Sequence, residues 1–268
     1  MHRRSLLSAS LGATAALAGC VGSLVGDTVT ESFDSQVDVT DETVVAVRNR
    51  NGPVTVESTD DDLLSLSGEK RASSEAALES ITVDVTAGER LLVEVRFGSG
   101  SDFETRAVDL TVAVPSGVVV DGVRTDNGDI EAGGVAGDLD ATTTNGDVQL
   151  HGVAGGVAAE TTNGDVTVRD AAGLRRARTT NGDIDADLLS MAGDVTCRST
   201  NGDVTVAVGE GIAAAVRLET DRGAASVGDV PHTVETSRPG FLRGRLRGGG
   251  EATLSLQSTN GDVALVAA

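Results

Sequence analysis

Aromatic side chains are almost missing from this chain. It has no Trp and no Tyr, and aromatics make up 1% of its 268 residues. That excludes an ordinary core built around large rings, which bury the greatest apolar areas. Lysine is nearly absent too, since Lys70 is the one lysine among 21 basic residues. Positive charge is scarce as a whole: 41 acidic residues give a formal net charge of −20. This excludes the basic footprint that nucleic-acid binding needs. An acidic, Arg-over-Lys surface matches proteins of salt-loving archaea, where carboxylates hold hydration. A GC-rich genome would explain the arginines but not the acidity. With two cysteines, Cys20 and Cys197, and the first in a processing motif, a disulfide framework is excluded as well.

What the chain does have is glycine, 34 of it, and a six-residue phrase that returns. The phrase reads TDNGDI at 125–130, TTNGDV at 143–148 and 161–166, and TTNGDI at 179–184. It reads STNGDV at 199–204 and 258–263. The Asn positions step by 18 residues three times, then by 20, and a last gap of 59 leaves room for divergent copies. A fixed period of this size marks a solenoid.

The N-terminus reads as an export signal. His2-Arg3-Arg4 precedes an uncharged stretch over 6–17, and Leu17-Ala18-Gly19-Cys20 ends it. The twin arginines before Ser5-Leu6-Leu7 resemble a twin-arginine signal, and LAGC resembles a lipobox. Cys20 is then the lipidated first residue of the mature chain, on the extracellular face of the membrane. The alternative is an uncleaved anchor, since residues 6–25 carry no charge, but that run is rich in Ser, Gly and Ala. The expected organisation is a signal peptide over 1–19, a lipidated tether over 20–32 and a less regular β region over 33–117. Regular repeats with a C-terminal cap follow over 118–268.

One coil shows the reasoning. In 157–168, Val157, Ala159 and Thr161 fall on one strand face, while Ala158, Glu160 and Thr162 fall on the other. Asn163-Gly164 signals a tight corner, because both residues tolerate positive φ. Val166 and Val168 then face inward. Asn127-Gly128, Asn145-Gly146, Asn181-Gly182, Asn201-Gly202 and Asn260-Gly261 are assigned the same structural role. The prediction is an all-β parallel β-helix of about 18–20 residues per coil, with strands stacked at about 4.8 Å. The register puts Cys197 where Ala159 stands, facing inward. It also puts Arg175 inward, a misfit that Leu174 relieves if it takes the core position. Leu254, Leu256, Val263 and Leu265 make the last coil heavier, as a closing coil would be. The segment 238–250 is a basic spot, with Phe241 among its arginines, and is a candidate for partner contact.

These features resemble the bacterial and archaeal putative-adhesin family of extracytoplasmic β-solenoids. The resemblance rests on the early Asn51-Gly52-Pro53-Val54 turn, the strand Leu110-Thr111-Val112-Ala113-Val114 before Pro115-Ser116-Gly117, the recurring TNGD, and Gly248-Gly249-Gly250 before 254–263. It covers about residues 28–265. It implies a right-handed parallel β-helix at the cell surface and names no ligand.

The candidate chemistry is sparse. The NGD aspartates, Asp129 to Asp262, should stand in a column. Calcium could bridge such a column, but each Asp flanks an inward Val or Ile and so is read as pointing to solvent. No nucleophile triad, metal-ligand spacing or phosphate loop occurs, so no metal and no cofactor is expected. Arg124, Thr142, Glu160, Arg178 and Arg198 share one outward register, a mixed-charge strip suited to weak contacts repeated along a face. The reading is a lipid-anchored, non-catalytic interaction module, with Arg124, Arg178, Arg198 and Phe241 as partner contacts. An envelope glycan or a surface protein is the candidate partner. A glycan-active enzyme on the same scaffold is the alternative.

Overall fold

The computed structural model describes residues 28–98 and 105–268. Two long sheets of eleven and twelve strands face each other. In the regular part each coil gives one strand to each sheet. Val119–Arg124, Leu139–Thr142, Gly156–Glu160, Gly173–Arg178 and Val195–Arg198 stack in parallel in the twelve-stranded sheet. Ile130–Gly133, Val148–His151, Val166–Arg169, Ile184–Leu188 and Val204–Val208 do so in the eleven-stranded one. The predicted all-β parallel solenoid is what forms.

The core is the thin layer between the sheets. Val157, Ala159, Val166, Val168, Ile184 and Ala186 are all fully or almost fully buried. Small and β-branched residues suffice because each inward side chain meets its own kind one coil above and below, and β-branching suits the pleated surface. The Arg175 misfit is resolved by a bulge. Val157 pairs with Leu174 and Ala158 with Arg176, so Arg175 is the extra residue. Leu174 is buried and Arg175 is exposed. The chain thereby spares the core an unpaired charge.

Stacking order departs from chain order at both ends. Near the N-terminus, Val44–Arg48 and Val54–Thr59 form a coil carrying the early Asn51-Gly52 turn. It lies between Leu91–Phe97 and Ala107–Pro115 on one side and the coil of Val119–Arg124 and Ile130–Gly133 on the other. Near the C-terminus, Thr253–Asn260 and Val263–Ala267 insert between the 195–208 coil and Ala214–Arg222 with Ala225–Val227. The heavier coil of Leu254 and Leu265 is therefore not the closing one, as its place in the sequence implied. It is covered by a divergent copy, Thr220-Asp221-Arg222-Gly223, hidden in the 59-residue gap.

The ends close by a change of strand direction. His232–Arg238 and Phe241–Leu246 add an antiparallel hairpin at the C-terminal end. Val29–Asp38, Leu63–Ala72 and Ile81–Ala87 pair antiparallel at the other. One helical turn, Glu75–Glu79, is capped by Ser74, whose hydroxyl accepts from the Ala77 N–H. The antiparallel strands end the coil repeat, while the eleven-stranded sheet ends in the short parallel strand Ala225–Val227. The edge strand His232–Arg238 carries Glu235 and Arg238, and short or charged edges disfavour further pairing.

Candidate functional site

The recurring phrase is the obvious candidate site, and all of its residues but the second are held by the stack; that second residue stands exposed at Thr144, Thr162 and Thr180. The leading Thr or Ser is buried in all six copies. Its hydroxyl donates to the carbonyl of the motif glycine one coil back: Thr143 to Gly128 at 2.9 Å, Thr161 to Gly146 and Thr179 to Gly164 at 2.8 Å, and Ser199 to Gly182 at 2.9 Å. A buried hydroxyl needs such a partner, so Thr and Ser interchange there and Val does not appear. In the worn first copy Asn49 takes the role, with its Nδ2 donating to Val108 O at 2.8 Å.

The asparagines form a ladder. Asn145 Nδ2 donates to Asn127 Oδ1 at 2.7 Å, and the pattern continues through Asn163, Asn181 and Asn201 to Asn260 at 2.7–2.8 Å. Arg222 ends the column, its Nη1 donating to Asn260 Oδ1 at 2.9 Å. Only the glycine of each pair has positive φ, for example +147° at Gly164. The expectation that Asn also turns at positive φ is corrected: Asn is bridge-paired to its neighbours in extended backbone, and the side-chain ladder selects it.

Glycine is required for a second reason. A Cβ on Gly164 would stand 2.1 Å from the carbonyl oxygen of Gly146. The motif glycines thus let successive coils touch backbone to backbone.

The aspartates are not simply aimed at solvent, which also corrects the sequence reading. Asp129 Oδ1 accepts the Asp147 N–H at 2.8 Å, and the relation repeats through Asp165, Asp183 and Asp203 to Asp262 at 2.7–2.8 Å. The last one, Asp262, accepts from Ala224 N–H at 2.8 Å. A carboxylate accepting a backbone N–H gains a charge-assisted bond, and this offsets the repulsion along the column. Among the described residues, no three His, Cys, Asp or Glu side chains converge as a metal site.

Cys197 is fully buried and paired in register with Ala177. Burial pushes its thiol up to about 12, so it stays protonated and inert.

The outward register continues beyond the strip read from the sequence. Strand pairing aligns Glu94, Arg48, Arg124, Thr142, Glu160, Arg178, Arg198, Gln257 and Glu219 on successive coils. Phe241 pairs with Glu219 at the far end of the column. The ring of Phe241 lies under two guanidiniums, Arg217 at 5.1 Å and Arg238 at 4.8 Å from its centroid. Arg124, Arg178, Arg198 and Phe241 are thus brought to one sheet face. Arg124 faces Asp126 at 3.5 Å; Arg178 and Arg198 have no ion pair among the described residues. Cys20 lies outside the described residues.

Two shallow, open depressions lie on the surface of the described residues. One is lined by Asp41, Asp60, Asp61, Asp62 and Ser116, the other by Arg198, Glu219, Asp221 and Gln257. His151 sits on a strand end over Gly133, and the His232 Nδ1 lies 2.7 Å from Val230 O.

Sequence reasoning missed the column-ending Arg222 and a second corner ladder. Gly156 N–H donates to Asp138 Oδ1 at 2.7 Å, and Thr253 N–H to Asp194 Oδ1 at 2.8 Å. Its signal was a weaker phrase, Ala-Gly-Asp, at 136–138 and 192–194.

Fold and corner chemistry define a parallel β-solenoid whose repeat is consumed by stacking. The chain belongs to the family described as Toastrack, DUF4097, which it matches over residues 28–266. Among solved structures it is similar to a "putative adhesin" from Parabacteroides distasonis, at 11% identity and TM-score 0.43, covering 89% of this chain and 97% of that one. It is also similar to a "putative adhesin" from Parabacteroides merdae, at 13% identity and TM-score 0.42, covering 90% and 96%. A third, from Bacteroides fragilis, stands at 13% identity and TM-score 0.42, covering 88% and 97%. No curated protein matches the chain.

Proposed function

We propose that this chain is a surface-exposed lipoprotein of halophilic type whose solenoid binds a partner without transforming it. The supporting observation is the outward column from Glu94 to Glu219, one side chain on each of nine aligned coils. It lies on a sheet face, open along its length, with neighbours about 4.8 Å apart. Such a face offers many weak contacts that act together, and it is an open strip rather than a single deep substrate pocket. The LAGC sequence ending at Cys20 supports a lipid anchor at the N-terminal end. An envelope glycan or surface protein can lie along the column.

The test incubates the purified protein, in concentrated salt, with glycans extracted from the envelope of its host. Saturable binding that weakens when Arg124, Arg178 and Arg198 are all changed to Ser is the expected result. Release of shortened oligosaccharides would overturn the non-catalytic reading.

A further inference from the structure

Charge is divided unequally between the two sheets. Strands of the twelve-stranded sheet hold 12 Arg against 8 Asp and Glu; those of the eleven-stranded sheet hold two Arg and Lys70 against 9 Asp and Glu. Within the first sheet the excess is concentrated in six adjoining strands at the C-terminal end. These six run from Gly173–Arg178 to the edge strand His232–Arg238 and hold 9 Arg against Glu219, Asp221 and Glu235. The whole protein has about twice as many acidic as basic residues, so composition alone would make this region acidic.

Two arginine pairs stand directly opposite each other in this field. Arg178 pairs with Arg198 on adjacent parallel strands, and Arg217 with Arg243 on adjacent antiparallel ones. Like charges so placed destabilise a sheet. The second pair is compensated by Glu219, 2.6 Å from Arg217, and by Glu235, 3.4 Å from Arg243. The first pair has no acidic partner among the described residues. Phe241 beneath Arg217 and Arg238 holds two of these guanidiniums over its ring.

We propose that this C-terminal half-sheet binds an acidic polysaccharide, with ligand carboxylates bridging Arg178 to Arg198 and Arg217 to Arg243. The proposal rests on the binding-module reading and narrows it to one half-sheet and one ligand charge. Guanidinium forks donate to carboxylates two bonds at a time, and a bridging anion removes the Arg178–Arg198 repulsion. An extended polymer fits because the nearby depression is shallow and a small anion would remain solvated. A protein partner fits less well. Among the described residues the exposed large hydrophobics are Leu189 and Val234, and they do not form the apolar anchor cluster that a protein interface centres on.

The experiment immobilises the full chain and measures binding of polygalacturonate, with uncharged dextran of similar length as the comparison, at low and high salt. Polygalacturonate is expected to bind and dextran not, with affinity falling as salt rises. The double variants Arg178→Ser with Arg198→Ser, and Arg217→Ser with Arg243→Ser, should each lose about tenfold or more in affinity. Arg96→Ser, on Leu91–Phe97 at the N-terminal end of the same sheet and outside the outward column, should change it less than about twofold. Circular dichroism checks that each variant is folded. Equal binding of both polymers, unaffected by the double variants, overturns the acidic-polysaccharide assignment and leaves the binding-module reading standing. Binding of neither polymer also overturns the assignment, while the envelope-glycan experiment decides the broader reading independently. A loss from Arg96→Ser as large as from the double variants overturns the location.

Discussion

Replacing Gly164 by Ala places one methyl group between two coils that touch through their backbones. The new Cβ would lie 2.1 Å from the Gly146 carbonyl oxygen, 2.5 Å from its carbon and 2.8 Å from Asp147 Oδ1. Real contacts of this kind need about 3 Å or more, so the coils must part where several bonds hold them. The same Gly146 carbonyl accepts the Thr161 hydroxyl, and Gly164 N–H donates to Asn181 O at 2.9 Å. Overpacking costs about 1–3 kcal/mol, and a residue with a side chain held at the φ of +147° costs about 1–3 kcal/mol more. The lower entropy of the unfolded Ala chain returns less than about 1 kcal/mol. The expected loss is therefore about 3 kcal/mol, a large share of a domain's net stability. Gly193 is the internal control. A Cβ there meets nothing within 4 Å, so Gly193→Ala should stay within about 0.5 kcal/mol of the parent. Urea denaturation followed by circular dichroism, with slopes compared, measures both. Equal midpoints for the two variants would refute the backbone-contact account.

Thr161→Val keeps the shape but leaves the Gly146 carbonyl without its hydroxyl donor, and should cost about 1–3 kcal/mol in the same assay, while Thr161→Ser costs less. The buried thiol of Cys197 has its pKa raised from 9.0 to about 12. The unfolded chain therefore releases this proton first, and the contribution is complete below pH 9 and declines as pH rises toward 12. Stability should fall by up to about 1.4 kcal/mol per pH unit across that window, and Cys197→Ala, matching the neighbouring Ala177, should remove that slope. If the alanine variant keeps the slope, another group titrates. Cys20→Ser should abolish lipid attachment and release the protein from the membrane fraction; unchanged membrane association with a mature N-terminus elsewhere would remove the anchor from the account.

The solenoid was legible because its repeat is local: Thr, Asn, Gly and Asp recur at coil spacing, and inward Val and Ile alternate around them. The misfit at Arg175 was legible for the same reason, since an arginine at a core position breaks an otherwise strict pattern, but the bulge that relieves it shows only in the strand pairing. The order of coils at the ends was not legible. Which coil stacks on which depends on pairing between strands far apart in sequence, and Leu254–Leu265 looks terminal only because the chain ends there. The roles of Asn and Asp were half legible. Corner position shows in the sequence, but the partner of each side chain is its own counterpart one coil away. The arginine field was legible only in pieces, Arg178 and Arg198 in one strip and 238–250 as a separate basic spot, because its members come from strands spread over 173–246 and only sheet order brings them together.

The recurring phrase is architecture, with each Asn side chain spent on its neighbour. Hydrogen exchange of the side-chain amides of Asn145, Asn163, Asn181, Asn201 and Asn260, followed by NMR in calcium-free buffer, tests it directly. One Nδ2 proton of each, donated along the ladder at 2.7–2.8 Å, should be protected against solvent, most strongly in the middle coils. Exchange of all five at the rate of a free asparagine, or protection that appears only when calcium is added, would contradict it.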